Sequence, residues 1–345
     1  MKQKSITNFK VCIRCTTFNH AHYIEDAMNG FCIQQTNFPY VAVIVDDAST
    51  DGEPEVIKQY LQKHFDLEDK DNVSNEETDD YILIFAKHKK NLNCFFAVYY
   101  LKYNHFRSKK DKLPYFTKFD NSAKYIAMCE GDDYWIVEDK LQQQVDFLEK
   151  NKEYGMVYTA FQTVDKEGNN IIREHYNNMM ERSKSGDILP LLLESNFILT
   201  CTTIFRKDIF NQSWTQGLPF KYDYTRFLIA SIYGMCKYLP IKTSAYRKVP
   251  TGAMATMSNI FGRYFHETSI WVYNGLCSGK IPIEKHRITP SIKKYITTKC
   301  ILQDNNEYKR KYISIVKQNK ILWAYVPMAL IKKLYVNIYT FFKKN

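Results

Sequence analysis

Two continuous apolar runs, each of strand length and each stopped abruptly by carboxylates, constrain this chain most. Residues 41–45 (VAVIV) run straight into Asp46-Asp47, and residues 124–129 run into Glu130-Gly131-Asp132-Asp133. An apolar run without polar alternation suits a strand covered on both faces, as in a parallel sheet. Residues 9–17 read as an earlier buried strand and residues 81–86 as a strand lying between the two runs. Between these segments the apolar period becomes helical. Ile24, Ala27, Met28 and Phe31 keep the i, i+3, i+4, i+7 spacing. Val56, Ile57, Tyr60 and Leu61 follow Pro54, a residue suited to the first turn of a helix. Leu141, Val145 and Leu148 share one side of 138–151. Strands alternating with helices over the first 160 residues predict an α/β fold with a mostly parallel central sheet flanked by helices.

The rest is less regular: a turn at 165–170, a strand-like 197–205, a helix from Asp223 to Gly234, and a helical pattern from Phe261 onward. Two charged segments interrupt the alternation. Residues 66–80 hold eight acidic side chains and 102–112 hold five basic ones, and both are expected as solvated surface insertions. The 345-residue chain carries 48 Lys and Arg against 37 Asp and Glu, a formal charge of +11. That surplus suits nucleic acid, an anionic membrane or a phosphorylated substrate. The hydrophobic share, 45%, excludes a wholly disordered chain. The apolar run near the N-terminus is too short for a signal peptide. The longest apolar candidate, 321–331, is interrupted by Pro327 and falls short of the about 18–20 residues of a membrane span. Nine cysteines without a framework point to a reducing cytoplasm. Cys12 and Cys15 form a C-x-x-C, but within a strand they face opposite sides, and no second pair completes a zinc site.

Open parallel sheets bind ligands beyond the C-terminal ends of their strands. Those ends deliver Thr16, Thr17 and Asn19 from the first strand, Asp46 and Asp47 from the second, and Glu130, Asp132 and Asp133 from the last. In an extended or turning chain Glu130 and Asp132 project to one side. Two carboxylates suit a hard divalent cation, Mg²⁺ or Mn²⁺, whose shell substrate phosphates complete. An acidic surface turn is the bland alternative. Asp46 and Asp47 suit either hydrogen bonding to a nucleoside or capping of the turn formed with Ser49, Thr50 and Asp51. Asp223 stands where a helix N-cap would stand.

V-C-I-R-C-T-T-F-N-H (11–20), Q-Q-T-N-F-P-Y (34–40), V-D-D-A-S-T-D-G (45–52) and Y-I-A-M-C-E-G-D-D-Y-W (125–135) together resemble the family 2 glycosyltransferases of GT-A fold. The likeness is to bacterial surface-polysaccharide members of Bacteroides type, in order from about residue 9 to 160. It continues more weakly through 200–207, 221–234 and 245–248. The resemblance implies a nucleotide-diphospho-sugar transferase fold over 1–255, with a nucleotide-binding half to about 135, and a helical C-terminal extension over 256–345. It implies an inverting transfer from a nucleotide-diphospho-sugar, most often a UDP-sugar, to a glycan or lipid-linked sugar acceptor. Thr16, Thr17, Asn19, Asp46 and Asp47 match the family's nucleoside-binding positions. Glu130 and Asp132 match its metal-binding D-x-D, and Asp223 its catalytic base. Asp133 and Trp135 would line the donor or acceptor cleft. The chain departs from the pattern at Arg14-Cys15, where a Pro is common, and at Glu130. It departs again after Arg247, where Lys248 and Val249 replace a segment carrying His, so Arg247 or Lys248 is expected to contact phosphate.

The last 23 residues concentrate Trp323, Tyr325, Tyr335, Tyr339, Phe341 and Phe342 with Lys332, Lys333, Lys343 and Lys344. Ile331, Leu334, Tyr335 and Ile338 share helical spacing. A basic amphipathic helix with Trp and Tyr suits an anionic membrane surface, which would place the protein peripherally on the cytoplasmic face; packing against the rest of the chain is the alternative. No nucleic-acid-binding signature is present. Two other functions stay open: a non-catalytic nucleotide- or carbohydrate-binding protein of the same fold, and a sugar nucleotidyltransferase. The latter expects a Gly-rich loop where 16–22 has no Gly.

Overall fold

A computed structural model describes residues 8–69, 73–211, 215, 222–249, 258–281, 290–302, 306–318 and 320–333. The first half runs β1 (Val11–Thr17), α1 (Ile24–Cys32), β2 (Tyr40–Asp46), α2 (Glu53–His64), β3 (Phe65–Asp66), β4 (Ser74–Glu77), β5 (Tyr81–His88), β6 (Cys94–Leu101), α3 (Leu113–Asp120), β7 (Tyr125–Met128) and β8 (Tyr134–Trp135). There follow α4 (Lys140–Lys150), β9 (Tyr154–Val164), α5 (Glu174–Arg182), α6 (Leu189–Glu194), β10 (Ile204–Arg206), α7 (Asp223–Tyr233) and β11 (Met235–Arg247). The last helices are α8 (Ser258–Ser278), α9 (Pro290–Leu302) and α10 (Asn306–Gln318).

The strands form one mixed sheet in the order β3-β5-β6-β2-β1-β7-β10-β9-β11-β8, with β4 paired to β5. Its centre, β6-β2-β1-β7, is parallel, and β11 runs parallel to β9. The registers bring Thr17 level with Asp46 and Asp46 level with Tyr100, so these strand ends share one edge. All seven residues of β2 and all eight of β6 are buried, as covering on both faces requires. On one face α1, α2 and α4 contribute Phe31, Ile57, Leu61, Leu141 and Leu148 against Ile13, Cys15 and Ile44. On the other, α3 packs Phe116 and Phe119 against Phe9, Cys12 and Val43. Cys12 and Cys15 thus face opposite sides, as strand geometry requires. The aromatic surplus is largely core: Phe9, Phe85, Phe95 and Phe119 contact one another ring to ring, as do Tyr81, Tyr99 and Tyr115. Fully burying one such ring contributes about 1.5–3 kcal/mol.

Two expectations change. The strand at 81–86 extends to His88 and pairs antiparallel with β6, because a short turn joins the two and leaves no length for a crossover. The third parallel strand is β6, whose apolar run ends without the acidic doublet that marks β2 and β7. The two charged segments are also not independent solvated insertions. Lys102 pairs with Glu77 at 2.8 Å, Lys110 with Asp80 at 2.9 Å and Lys118 with Glu76 at 2.8 Å. Lys102 and Lys110 of the basic segment thus pair with the acidic one, and Lys118 of α3 adds a third contact to it.

The chain divides into two compact units. The sheet unit comprises Met1–Gly186, Phe197–Ile209 and Gly234–Gly252; the helical unit comprises Asp187–Asn196, Phe210–Tyr233 and Ala253–Asn345. The helical unit has its own core. The Tyr224 hydroxyl of α7 donates to the Leu192 carbonyl of α6 at 2.9 Å, and its ring stacks on Phe265 of α8 at 4.7 Å. His266 of α8 stacks on Tyr308 of α10 at 5.0 Å. The expected boundary at 255/256 lies outside the described residues, and α6 and α7 group with the C-terminal helices. Among the described residues no helix is long and apolar enough to cross a membrane. Trp323 is 53% exposed and Ile331 68%. Tyr335, Tyr339, Phe341, Phe342, Lys343 and Lys344 lie outside the described residues.

Candidate active site

The site is organised by the end of β1, which is tied to both neighbouring strand ends. The Thr16 carbonyl accepts the Gly131 N–H at 3.1 Å, and the Thr17 carbonyl accepts the Asp47 N–H at 3.0 Å. Thr17 itself is buried; its hydroxyl bonds to Glu53 and lies 3.1 Å from His20 Nδ1. Glu53, fully buried at the start of α2, also accepts the His20 N–H at 2.9 Å and the Ser49 hydroxyl at 2.8 Å. One carboxylate thereby fastens the turn after β1 to the turn after β2. Thr17 is consequently an internal fastener, its hydroxyl engaged by Glu53 and His20. It also explains Gly131: a Cβ there would lie 2.2 Å from Thr17 Oγ1. The glycine makes room for Thr17.

At the end of β2 both carboxylates are about 1% exposed. Asp47 accepts the His105 N–H at 2.6 Å, the Phe106 N–H at 3.1 Å and Lys112 Nζ at 2.8 Å. Its oxygens therefore hold the 104–112 loop. Asp46 accepts the Ser49 N–H at 3.0 Å, and burial above all pushes its carboxyl up to about 6. Asn19 is exposed beside it; its Oδ1 accepts the Thr50 N–H and its own N–H donates to Ser49, each at 2.9 Å. Asn19 and Ala48 both adopt left-handed backbone, φ 56° and 59°. For an alanine that conformation is costly and collects at functional sites.

At the end of β7 Glu130 and Asp132 are half-buried, and His20 Nε2 stands 3.9 Å from Asp132 Oδ2. The only sequence signal for His20 is its place in the T-F-N-H turn after a strand. Asp133 points inward, 4% exposed, and accepts the Arg247 N–H at 2.9 Å. Burial, and then the neighbouring Asp132 carboxylate, push its carboxyl well above the usual range. Arg247, also 4% exposed, lies between the rings of Tyr23 and Tyr134. It donates to the Asp132 carbonyl at 3.0 Å, the Lys166 carbonyl at 3.0 Å and Asp26 Oδ2 at 2.5 Å. Its guanidinium is committed to protein oxygens and so positions the acidic loop. Lys248 lies near the rings of Tyr176 and Tyr246, 5.5 and 5.4 Å from their centroids.

Trp135, 2% exposed, is a core pillar and not a cleft wall. Its Nε1 donates to the Cys201 carbonyl at 2.8 Å and its ring meets Phe31 edge-on. Lys140 Nζ sits 4.4 Å from the centre of that ring and 2.8 Å from Gln144 Oε1, with burial pulling its amine down to about 7. The departure at Arg14 has a similar structural account: Arg14 pairs with Asp120 of α3 and lies over Phe116.

Asp223 opens α7 in the helical unit, 41% exposed at its side chain, and pairs with Arg226 at 2.7 Å. Glu130 and Asp132 present hard oxygen donors at one strand end. Among the described residues no group of three or more His, Cys, Asp or Glu side chains is placed to hold a metal. Two carboxylates alone are oxygen donors of the kind a hard cation takes together with other oxygens.

No protein-family model matches the chain. It is 28% identical over 202 residues to uncharacterized proteins of Mycobacterium bovis and Mycobacterium tuberculosis, covering 56% of this chain and 45% of theirs. The chain thus spans about half the length of the curated relatives it matches. Among solved structures it is similar to S. aureus TarS 1-349 in complex with UDP-GlcNAc, with TM-score 0.56 and 14% identity over 92% of this chain and 84% of that one. The complex of the same protein with UDP aligns at TM-score 0.50 and 14% identity, over 89% and 79%. With the sheet order above, this likeness shows the fold: the chain has the GT-A nucleotide-diphospho-sugar transferase fold.

Proposed function

We propose that this chain is an inverting glycosyltransferase that moves a sugar from a nucleotide-diphospho-sugar, first of all a UDP-sugar, to a hydroxyl of a glycan or lipid-linked acceptor. The observation that supports the reading is that β1, β2 and β7 run parallel side by side and end in segments that carry Asn19, Asp46, Glu130 and Asp132. The solved structure bound to UDP-GlcNAc supports the choice of donor nucleotide. Asp46, Asn19 and Thr16 would take the nucleoside. Glu130 and Asp132 would hold Mn²⁺ or Mg²⁺ against the diphosphate. When bound, such a cation neutralises charge on the departing group. Asp223 would take the proton of the acceptor hydroxyl as that oxygen attacks the anomeric carbon, with Arg226 fixing the carboxylate's orientation. Trp323, Leu330 and Ile331, each more than half exposed, would meet an anionic membrane surface beside Lys332 and Lys333.

The test is release of nucleoside diphosphate from a panel of sugar nucleotides, with and without Mn²⁺. One donor should turn over, and Asp223→Asn should abolish transfer while UDP still binds. Near-normal turnover in that variant would remove Asp223 from the chemistry. A binding protein without turnover is the second reading, favoured by the ion pair that already engages Asp223. It predicts UDP binding with no release from any donor. Cosedimentation with anionic liposomes tests the membrane contact: a chain truncated at Lys320 should lose binding.

A further inference from the structure

The edge of the sheet where β1 and β7 begin lies opposite the acidic strand ends and carries the reverse charge. Lys10 precedes β1 and Lys124 precedes β7, while Arg206 ends β10, antiparallel to β7, with Lys207 after it. Backbone hydrogen bonds set three lysines in a row: the Lys124 N–H donates to the Lys10 carbonyl and the Lys207 N–H to the Lys124 carbonyl, each at 3.1 Å. Like charges side by side on neighbouring strands are destabilising unless something answers them. Glu149 of α4 pairs with Lys10, with Lys124 at 2.8 Å and with Lys152 at 3.2 Å, so one carboxylate serves three ammonium groups. Lys207 Nζ donates to the neutral Asn121 carbonyl at 3.1 Å. Arg206 is 6% exposed, its Nε donating to the Tyr154 carbonyl at 2.7 Å and its Nη2 to the Leu148 carbonyl and, at 2.9 Å, to the Asn151 carbonyl. These acceptors, at and just beyond the end of α4, are dipoles and not counter-ions, so the guanidinium keeps its charge.

Lys10, Lys124, Arg206 and Lys207 line one open cleft of about 510 Å³, the volume of a small-molecule site. We propose that this cleft binds a phosphomonoester dianion, held by the ammonium groups of Lys10, Lys124 and Lys207, with Arg206 adding its charge at the wall. With Lys152, five cations gather here against the carboxylates of Glu149 and Asp208. A phosphomonoester carries about −1.5 to −2 charges at pH 7 and three strong acceptor oxygens, so it offsets most of that excess where a single carboxylate offsets less. Each ammonium has three hydrogens, and one acceptor each, Glu149 or Asn121, leaves donors to spare for those oxygens. The backbone row and the shared Glu149 also hold the lysines in place beforehand, which lowers the ordering cost of binding. A soluble phosphorylated metabolite and a phosphatidic acid headgroup share this chemistry. The site stands apart from the proposed donor site, at the other end of the same strands.

The experiment measures the rate at which each lysine of the full-length protein is acetylated, by mass spectrometry, with EDTA present so that no divalent cation carries phosphate to the acidic edge. The probes are inorganic phosphate, against chloride at equal ionic strength, and phosphatidylcholine vesicles with and without phosphatidic acid. Labelling of Lys10, Lys124 and Lys207 should slow saturably with phosphate, about fivefold at about four times its Kd. Lys58, an exposed lysine of α2 paired with Glu55, should not change. Protection by phosphate identifies a soluble ligand, and protection by phosphatidic acid vesicles alone identifies a lipid headgroup. Lys124→Gln combined with Lys207→Gln should abolish the protection of Lys10, and undiminished protection there overturns the proposal. It also fails if neither probe slows the three lysines, or if chloride slows them as much, or if Lys58 slows with them. These last results are read on the wild type, so they hold even where the variant does not fold.

Discussion

The ends of β2 and β7 carry the same chemical group and use it differently. At β2 both carboxylates are buried, and Asp47 spends its oxygens on two backbone N–H groups and Lys112. At β7 the doublet is offset: Asp133 turns inward to the Arg247 N–H, while Glu130 and Asp132 stay half-exposed. In each doublet the second aspartate builds a loop. What sets Asp47 apart from a candidate ligand is that two backbone N–H groups and Lys112 already occupy its oxygens. Acidity next to a strand end does not distinguish them.

Single substitutions put that difference to the test. Removing the Asp47 carboxylate strands two N–H groups and Lys112, so Asp47→Ala should cost about 3–5 kcal/mol in urea unfolding. A loss under about 1 kcal/mol would mean the 104–112 loop does not depend on it. Asp132→Asn should lower transfer about a hundredfold or more while leaving the unfolding midpoint near wild type. An equal loss of stability would make Asp132 a builder too. Lys140, under Trp135 just beyond the β7 doublet, has an amide oxygen and no carboxylate on its amine. Lys140→Met should therefore stabilise by about 1–3 kcal/mol at pH 6. The lysine's native value near 7 lies below its unfolded value of 10.5, so the native state binds fewer protons between them. Wild-type stability then rises with pH across that window, and the advantage of Met shrinks, which unfolding at pH 6 and pH 10 would show. The smallest effect is expected for Asp133→Asn at pH 4, within about 1 kcal/mol of wild type, since an amide oxygen also accepts the Arg247 N–H. Because Asp133 is harder to ionise when folded, the Asn variant should gain on wild type as pH rises above about 4.

Much of this was legible in the chain. The apolar runs of β1, β2 and β7 announce a parallel sheet, and β2 and β7 run directly into carboxylates. The run of eight at 94–101 carries the same signal as β2, and only attention to flanking charge hides it. Other features were not legible because their causes are distant in sequence. Thr17 and Trp135 resemble ligand contacts locally, yet Glu53 and the Cys201 carbonyl claim their polar atoms. Arg247 looks like a phosphate hand until Asp26 and Lys166 are seen to hold it. The acidic and basic segments read as two solvated stretches because pairs 25 to 42 residues apart leave no local pattern.

Arg247 also bears on when the acidic loop can take shape. Its partners Asp26 and Asp132 lie 221 and 115 residues earlier in the chain. A growing polypeptide cannot make those bonds until the last strand of the sheet has left the ribosome. Until then the loop lacks its clamp, and Asp133 lacks the N–H donor that answers its burial. Truncated or stalled products ending before β11 should thus assemble much of the β6-β2-β1-β7 centre yet present an unfinished edge, so the capacity to hold a ligand arrives late in synthesis.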